Sequence, residues 1–470
     1  MAELIAQSAV EIVELLRLGA ITPHDCLDAL EKRIAAVESK VNALPILCFD
    51  RAREQADALM KKAPAERGLL RGLPVPIKDL SWVQGVRSTS GSPIFADFIP
   101  ASSDICVEKI EAEGGIVYAK SNTPEFGAGG HTFNALFGVT RNPWNLERSA
   151  AGSSGGAAAA LAAGMAWVAH GSDMGGSLRN PASFCGIVGM RPTPGRVASD
   201  NRAILDQTLG VQGPMARNVE DLALLFDAMA GEDRRDLLSK PRPAQSFLAA
   251  ARSGWKPKRV AYSPDLGLSP VEPEVRAITR AAAQRFADIG AEVVEATPDL
   301  SGAHECFHVL RARSFATALG PLLDKHVDKF KSDVVWNILE GLRLSAEDIA
   351  RAERQRVALA RRMDLFLADF DLLVCPATIT PAFPVEQRYV ERCDGVDLPD
   401  YVRWLAIAYG PTLCGAPALS LPCGFTADRL PVGLQIIGPV NGDAQVIAGA
   451  KALETVLGLG TTRPVEIALP

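Results

Sequence analysis

The 470-residue chain is 48% hydrophobic and 22% charged, an ordinary globular balance that argues against disorder and fibrous repeats. Its net charge of −6 lacks the basic excess of nucleic-acid binders, and its longest apolar run, 157–169, is too short for a membrane span and holds Gly164. Nine cysteines without a C-x-x-C pair, and an N-terminus with no basic stretch, lead to the expectation of a cytoplasmic protein with reduced thiols, no signal peptide, and no membrane or nucleic-acid partner.

Ser8 and Glu11 form a capping-box pattern, and Gly19 closes that first helix. Thr22 caps a second helix, which has Pro23 at its first position and runs to about Val37. A helix starting near Ser103 leads into a strand at 115–119, and a small-residue helix precedes a strand at 166–169 and a Gly-rich turn. Strands at 259–263 and 291–294 flank a helix from about Val271 to Ile289, and late core strands are expected at 372–375 and 418–421. The alternation predicts an α/β sheet layered by helices. The mixed-charge stretch 231–258, with Pro241, Pro243 and Pro257, reads as a surface linker. The nearly all-helical stretch 303–370 reads as a cap over a site built elsewhere in one domain.

The most informative segment is Ala151-Gly-Ser-Ser-Gly-Gly and the Ala-rich run after it, followed by His170-Gly-Ser-Asp-Met-Gly-Gly-Ser-Leu-Arg-Asn-Pro. A phosphate cradle would use a Gly/Ser loop that opens a helix, but neither GxxxxGK[ST] nor GxGxxG is present. Close helix packing explains Ala157 to Ala163, though not why Ser153, Ser154, Ser172 and Ser177 sit beside Gly pairs. Acyl transfer explains them better. It needs a serine nucleophile, a base and donors aimed at an oxyanion, and glycines let successive N–H groups converge. Histidine is the usual base, and this region supplies only His131 and His170. The alternative is Lys78, which ends the Pro-stiffened apolar run Leu73-Pro-Val-Pro-Ile-Lys.

With these residues in view, the chain resembles the amidase signature family of serine hydrolases. The family's GGSSGG and DxGGSxR appear as Ala151-Gly-Ser-Ser-Gly-Gly and Asp173-Met-Gly-Gly-Ser-Leu-Arg. Lys120-Ser-Asn-Thr-Pro-Glu-Phe, Phe184-Cys-Gly, Arg191-Pro-Thr-Pro-Gly-Arg-Val, Gly415-Ala-Pro-Ala-Leu-Ser-Leu-Pro and Leu430-Pro-Val-Gly-Leu-Gln follow in family order. Three departures are visible: Ala151 stands where the first Gly is usual, Ser172 where Thr is common, and Arg429 where Gly is common. The resemblance implies a large mixed β-sheet covered by helices on both faces, and hydrolysis of a small-molecule amide, with esters or carbamates as further substrates. It implies Ser177 as the acylated nucleophile, Ser153 as a bridging serine after a cis peptide, and Lys78 as the terminal base. It further implies oxyanion N–H groups from Met174, Gly175, Gly176 and Ser177, support from Ser154, Asp173 and Arg179, and Gly127 in the substrate loop. No cofactor or metal is implied, and a homodimer is the expectation from base rate and family habit.

Two rivals compete with this reading. His304-Glu-Cys-Phe-His308 matches H-E-x-x-H, with Glu305 as the base of a zinc hydrolase, although a third ligand has no evident candidate beyond His326 or Glu353. Within the family, the A subunit of glutamyl-tRNA amidotransferase uses the same Lys-Ser-Ser set to release ammonia from glutamine for a partner protein. Phe133, Phe137, Phe307, Trp336, Trp404 and Tyr409 would line an apolar or aryl-tolerant acyl pocket.

Overall fold

The structure is a computed structural model that describes residues 2–200, 203–459 and 464. Local signals set the first helices. In α1 (Ala9–Leu18) the Ser8 hydroxyl accepts from the Glu11 N–H, the Glu11 carboxylate accepts from the Ser8 N–H, and Gly19 ends the helix at φ 69°. In α2 (Pro23–Val41) Thr22 and Asp25 repeat the box, and the helix runs past Val37 to a left-handed Asn42.

The strands fall into two principal sheets. The smaller contains β1 (Ile46–Leu47), β2 (Pro74–Lys78) and β3 (Ile116–Ser121) in the order β1-β3-β2, with β2 and β3 parallel. The larger contains β4 (Val168–Asp173), β5 (Val188–Arg191), β6 (Val211–Ala216), β7 (Arg259–Tyr262), β8 (Glu292–Glu295), β9 (Leu372–Pro376), β10 (Ala418–Phe425) and β11 (Pro431–Ile437). Its order is β8-β7-β9-β11-β10-β5-β6-β4. Strand β7 pairs in parallel with β8 and β9 and the other pairs are antiparallel, so the sheet is mixed. Strand β4 runs four residues past its expected end, so that Ser172 and Asp173 lie on it.

Strands β9 and β11 are buried at every residue, the pattern of a sheet covered on both faces. The register Leu373↔Ile437 puts Leu372 and Gly433 on opposite faces. Leu372 meets Gly449 of the helix Asp443–Leu457, whereas Gly433 meets Ser183 of the helix Arg179–Cys185.

The stretch 231–258 is irregular and partly exposed, but it is fastened to the body. It carries the short helix Phe247–Ala251, and Phe247 stacks on Phe226 with ring centroids 3.9 Å apart. Three helices, Ala303–His326, Ser332–Arg343 and Ala346–Leu367, occupy the segment read as a cap. Part of it forms a separate apolar cluster, in which Phe315, Phe330, Val334 and Ile338 surround Ala128. Among the described residues, no helix is long and apolar enough to cross a membrane.

Candidate active site

Lys78 is the last residue of β2, an edge strand, where Pro74 and Pro76 leave no ladder donor unpaired. The side chain is fully buried. Its Nζ donates to Ser153 Oγ at 2.7 Å, Ser154 Oγ at 2.9 Å and Ser172 Oγ at 3.0 Å, with the Ser172 carbonyl at 3.4 Å. Burial brings the lysine down to about 7, against the opposing pull of the Asp173 charge.

Ser153 and Ser154 sit at the entrance to α3 (Gly155–Ala162), and the Gly152–Ser153 peptide is cis. Ser154 holds the N-cap position but makes no side-chain cap, because its hydroxyl faces Lys78 and Ser172. The departures Ala151 and Arg429 both adopt the left-handed conformation that glycine takes freely, at φ 55° and 60°. Ser172, the third departure, supplies a hydroxyl to Lys78, as threonine would.

Beyond β4 the chain turns through Met174, Gly175, Gly176 and Ser177 into α4 (Arg179–Cys185). The Ser177 carbonyl accepts from the Ser154 N–H at 3.1 Å, which ties the turn to the cis-serine loop. Ser177 is half-buried, and its hydroxyl makes no hydrogen bond among the described residues. Thus the structure brings Lys78 to Ser153 and Ser177 to Ser154, while the Ser153–Ser177 hydrogen bond is not made.

Asp173 organises the turn. Its carboxylate accepts from the Gly176 N–H at 2.9 Å and the Leu178 N–H at 3.1 Å, and it pairs with Arg179 at 2.8 and 3.0 Å. Burial pushes this carboxyl up, but the Arg179 charge and hydrogen bonds, with Arg191 behind them, outweigh it and hold the acid well below its usual range. Arg179 also donates to the Ala408 carbonyl and to Gln435, so it is engaged by the protein on several sides. The expectation for Gly176 is therefore corrected: its N–H is held by Asp173. The N–H groups of Met174, Gly175 and Ser177 take no backbone partner among the described residues. Gly127, at φ 70°, lies against Ser153; a Cβ there would be 3.4 Å from the Ser153 Oγ.

Four residues around Lys78 went unassigned in the sequence. Ser172 reaches Lys78 because β4 is longer than its apolar run indicated. Asp79, the residue after Lys78, forms a buried ion pair with Lys120 at 2.9 Å. His170 accepts from the Lys78 N–H at 3.3 Å. The Lys-Asp and Lys-Ser dipeptides were visible, but their pairing depends on β2 meeting β3.

The expected pocket residues divide. Phe307 and Leu405 are the side chains nearest Gly175, Tyr409 stacks on Phe307 at 4.1 Å, and Trp404 packs against Gly130. Phe133 lies under Lys331, Phe137 under Arg87, and Trp336 against His308 and Tyr401. The H-E-x-x-H residues each take a different partner. His304 Nδ1 meets the Tyr409 hydroxyl at 2.6 Å, Glu305 pairs with Arg351 at 2.8 Å, and His308 lies 3.7 Å from Glu340. No group of three metal-ligating side chains forms among the described residues. His304, His308 and Tyr409 instead line a cavity of about 370 Å3 together with Asp400 and Arg403.

The family model described as Amidase matches residues 25–447. The chain is 36% identical to an acylamidase of Rhodococcus erythropolis over 466 residues, 98% of this chain and 97% of that protein. It is 30% identical to the A subunit of the glutamyl-tRNA(Gln) amidotransferase of Halothermothrix orenii, across 97% of this chain and 98% of that protein. The crystal structure of a bacterial aryl acylamidase of the amidase signature enzymes superposes with a TM-score of 0.90 at 28% identity, covering 98% of this chain and 99% of that one.

Proposed function

Because the chain belongs to the amidase signature family and is an amide-hydrolysing enzyme, we propose that Lys78, Ser153 and Ser177 carry the hydrolysis through a seryl acyl-enzyme. The observation that supports this most directly is the 2.7 Å contact between the buried Lys78 amine and Ser153 Oγ. When Lys78 is neutral, that contact runs the other way: the Ser153 hydroxyl donates to Nζ and its oxygen is free to accept from Ser177. Ser177 Oγ attacks the carbonyl carbon, its proton passes to Ser153, and the Ser153 proton passes to Lys78. The N–H groups of Met174, Gly175 and Ser177 stabilise the oxyanion. The relay then reverses and protonates the departing amine, which leaves poorly as an anion. Water hydrolyses the ester and regenerates Ser177.

The natural acyl group is apolar in this reading, since Phe307 and Leu405 form the wall nearest Gly175. The three helices of 303–367 act as the cap above it. The likeness to amidotransferase A subunits favours a second reading, glutamine-dependent ammonia release with partners. An apolar wall is a poor match for the zwitterionic end of glutamine.

The test is an assay of the isolated chain on para-nitroacetanilide, para-nitrophenyl acetate and glutamine. Anilide hydrolysis should be seen without partners and should fall by about 10³-fold or more in Ser177→Ala. Lys78→Ala should lose far more anilide than ester turnover, because the activated ester does not need its leaving group protonated. Turnover of glutamine alone, and only with partner proteins, would establish the second reading instead.

A further inference from the structure

Resting on the assignment of Lys78 as the base, we infer that His170 is a positioning residue for it: a neutral imidazole that joins the lysine's strand to the strand carrying Ser172 and Asp173. The two strands belong to different sheets. Strand β2 is the edge of the three-stranded sheet, and β4 is the edge of the eight-stranded one. The Asp79 N–H donates to the Ser121 carbonyl of β3 at 3.0 Å. Successive N–H groups along an extended strand point to opposite sides, so the Lys78 N–H points away from β3 and towards β4. Among the described residues, no backbone hydrogen bond joins β2 to β4. His170 Nδ1 takes the place of the missing carbonyl, at 3.3 Å.

The other ring nitrogen fixes the tautomer. His170 Nε2 lies 2.8 Å from Gln212 Oε1, an acceptor on β6, so Nε2 carries the proton and Nδ1 keeps its lone pair for Lys78. The ring is fully buried, and burial together with the nearby Lys78 and Lys120 charges pushes it down to about 4. Two residues on, Ser172 lies on the same face of β4 and bonds the other end of the same lysine, at Nζ. One strand face therefore grips both the main chain and the amine of Lys78. The relay crosses between two sheets, and a small slide at their junction would lengthen the 2.7 Å contact on which proton transfer depends.

Three variants assayed on para-nitroacetanilide test this. His170→Leu fills the volume without an acceptor, and should lower kcat about tenfold, the scale of one hydrogen bond, with KM held within about twofold. His170→Asn returns an oxygen near the Nδ1 position and should recover most of that loss. Gln212→Met keeps the imidazole but releases its tautomer, and should show the same kcat deficit even if His170→Leu does not fold. Wild-type kcat in Gln212→Met, or equal losses in the Leu and Asn variants, would overturn the inference. Ser177→Ala, run alongside, separates the cases: if it stays active, the assignment of Lys78 itself falls; if it is inactive while the His170 and Gln212 variants are not, only the positioning role falls.

Discussion

A lysine ammonium ordinarily titrates near 10.4, leaving only about one in 10³ neutral at pH 7. Complete burial brings Lys78 to about 7 and makes roughly half of it neutral there, as its proposed role as base requires. The three surrounding hydroxyls can donate as well as accept, so they serve both protonation states without requiring a counter-charge. The sign of the pH dependence follows. The protonated form cannot accept from Ser153, so kcat/KM for para-nitroacetanilide should rise about tenfold per pH unit below 7 and level off above about 8. A flat profile from pH 5.5 to 8 would show that proton transfer to Lys78 does not limit turnover.

At the scale of elements, the turn between β4 and α4 depends on one carboxylate. Asp173 holds two N–H groups of the turn and the Arg179 guanidinium, while Arg191 donates to its carbonyl at 2.7 Å. Burial lowers Arg191 to about 9, and the Asp173 charge opposes that shift. Asp173→Asn would leave two buried guanidinium groups without an anion and should destabilise the fold by about 3–5 kcal/mol. Denaturant unfolding measures this directly, and an unchanged midpoint would mean that Gln435 and the carbonyls suffice. Helix α3 shows the opposite priority. Ser154 does not cap it, because its hydroxyl faces Lys78; the Thr132 hydroxyl and the Asn122 carbonyl accept from the Gly155 and Gly156 N–H groups instead.

Across the whole molecule, the loop 125–128 and the helices of 303–367 are clasped together. Glu125 accepts from the Ser92 hydroxyl at 2.7 Å and from the Lys331 N–H at 2.6 Å, and Lys331 Nζ returns to the Ala128 carbonyl at 3.2 Å. Phe126, in the left-handed region at φ 49°, packs on Phe330 from the same helical segment. Gly127 follows it and borders Ser153, so movement of these helices reaches the site through this loop. Glu125→Ala should raise KM for para-nitroacetanilide about fivefold, on the scale of one charge-assisted hydrogen bond, and speed hydrogen exchange over 327–338. Faster exchange with an unchanged KM would separate the helices from substrate binding.

Much of this was legible in the linear chain. The caps at Ser8 and Thr22, the alternation of strands and helices, and the ordered motifs from Lys78 to Gln435 rest on neighbours a few residues apart or on residue identity. These local terms do not change when the chain folds. The stretch 231–258 looked like a linker because proline and charge dominate it, yet Phe247 found Phe226. The Gly176 N–H looked available until Asp173 turned back onto it. The junction of β2 with β4, the tautomer of His170 and the clasp at Glu125 were decided only by tertiary structure. Each joins residues from segments that meet in the folded molecule, and burial and hydrogen-bond direction are properties of that meeting.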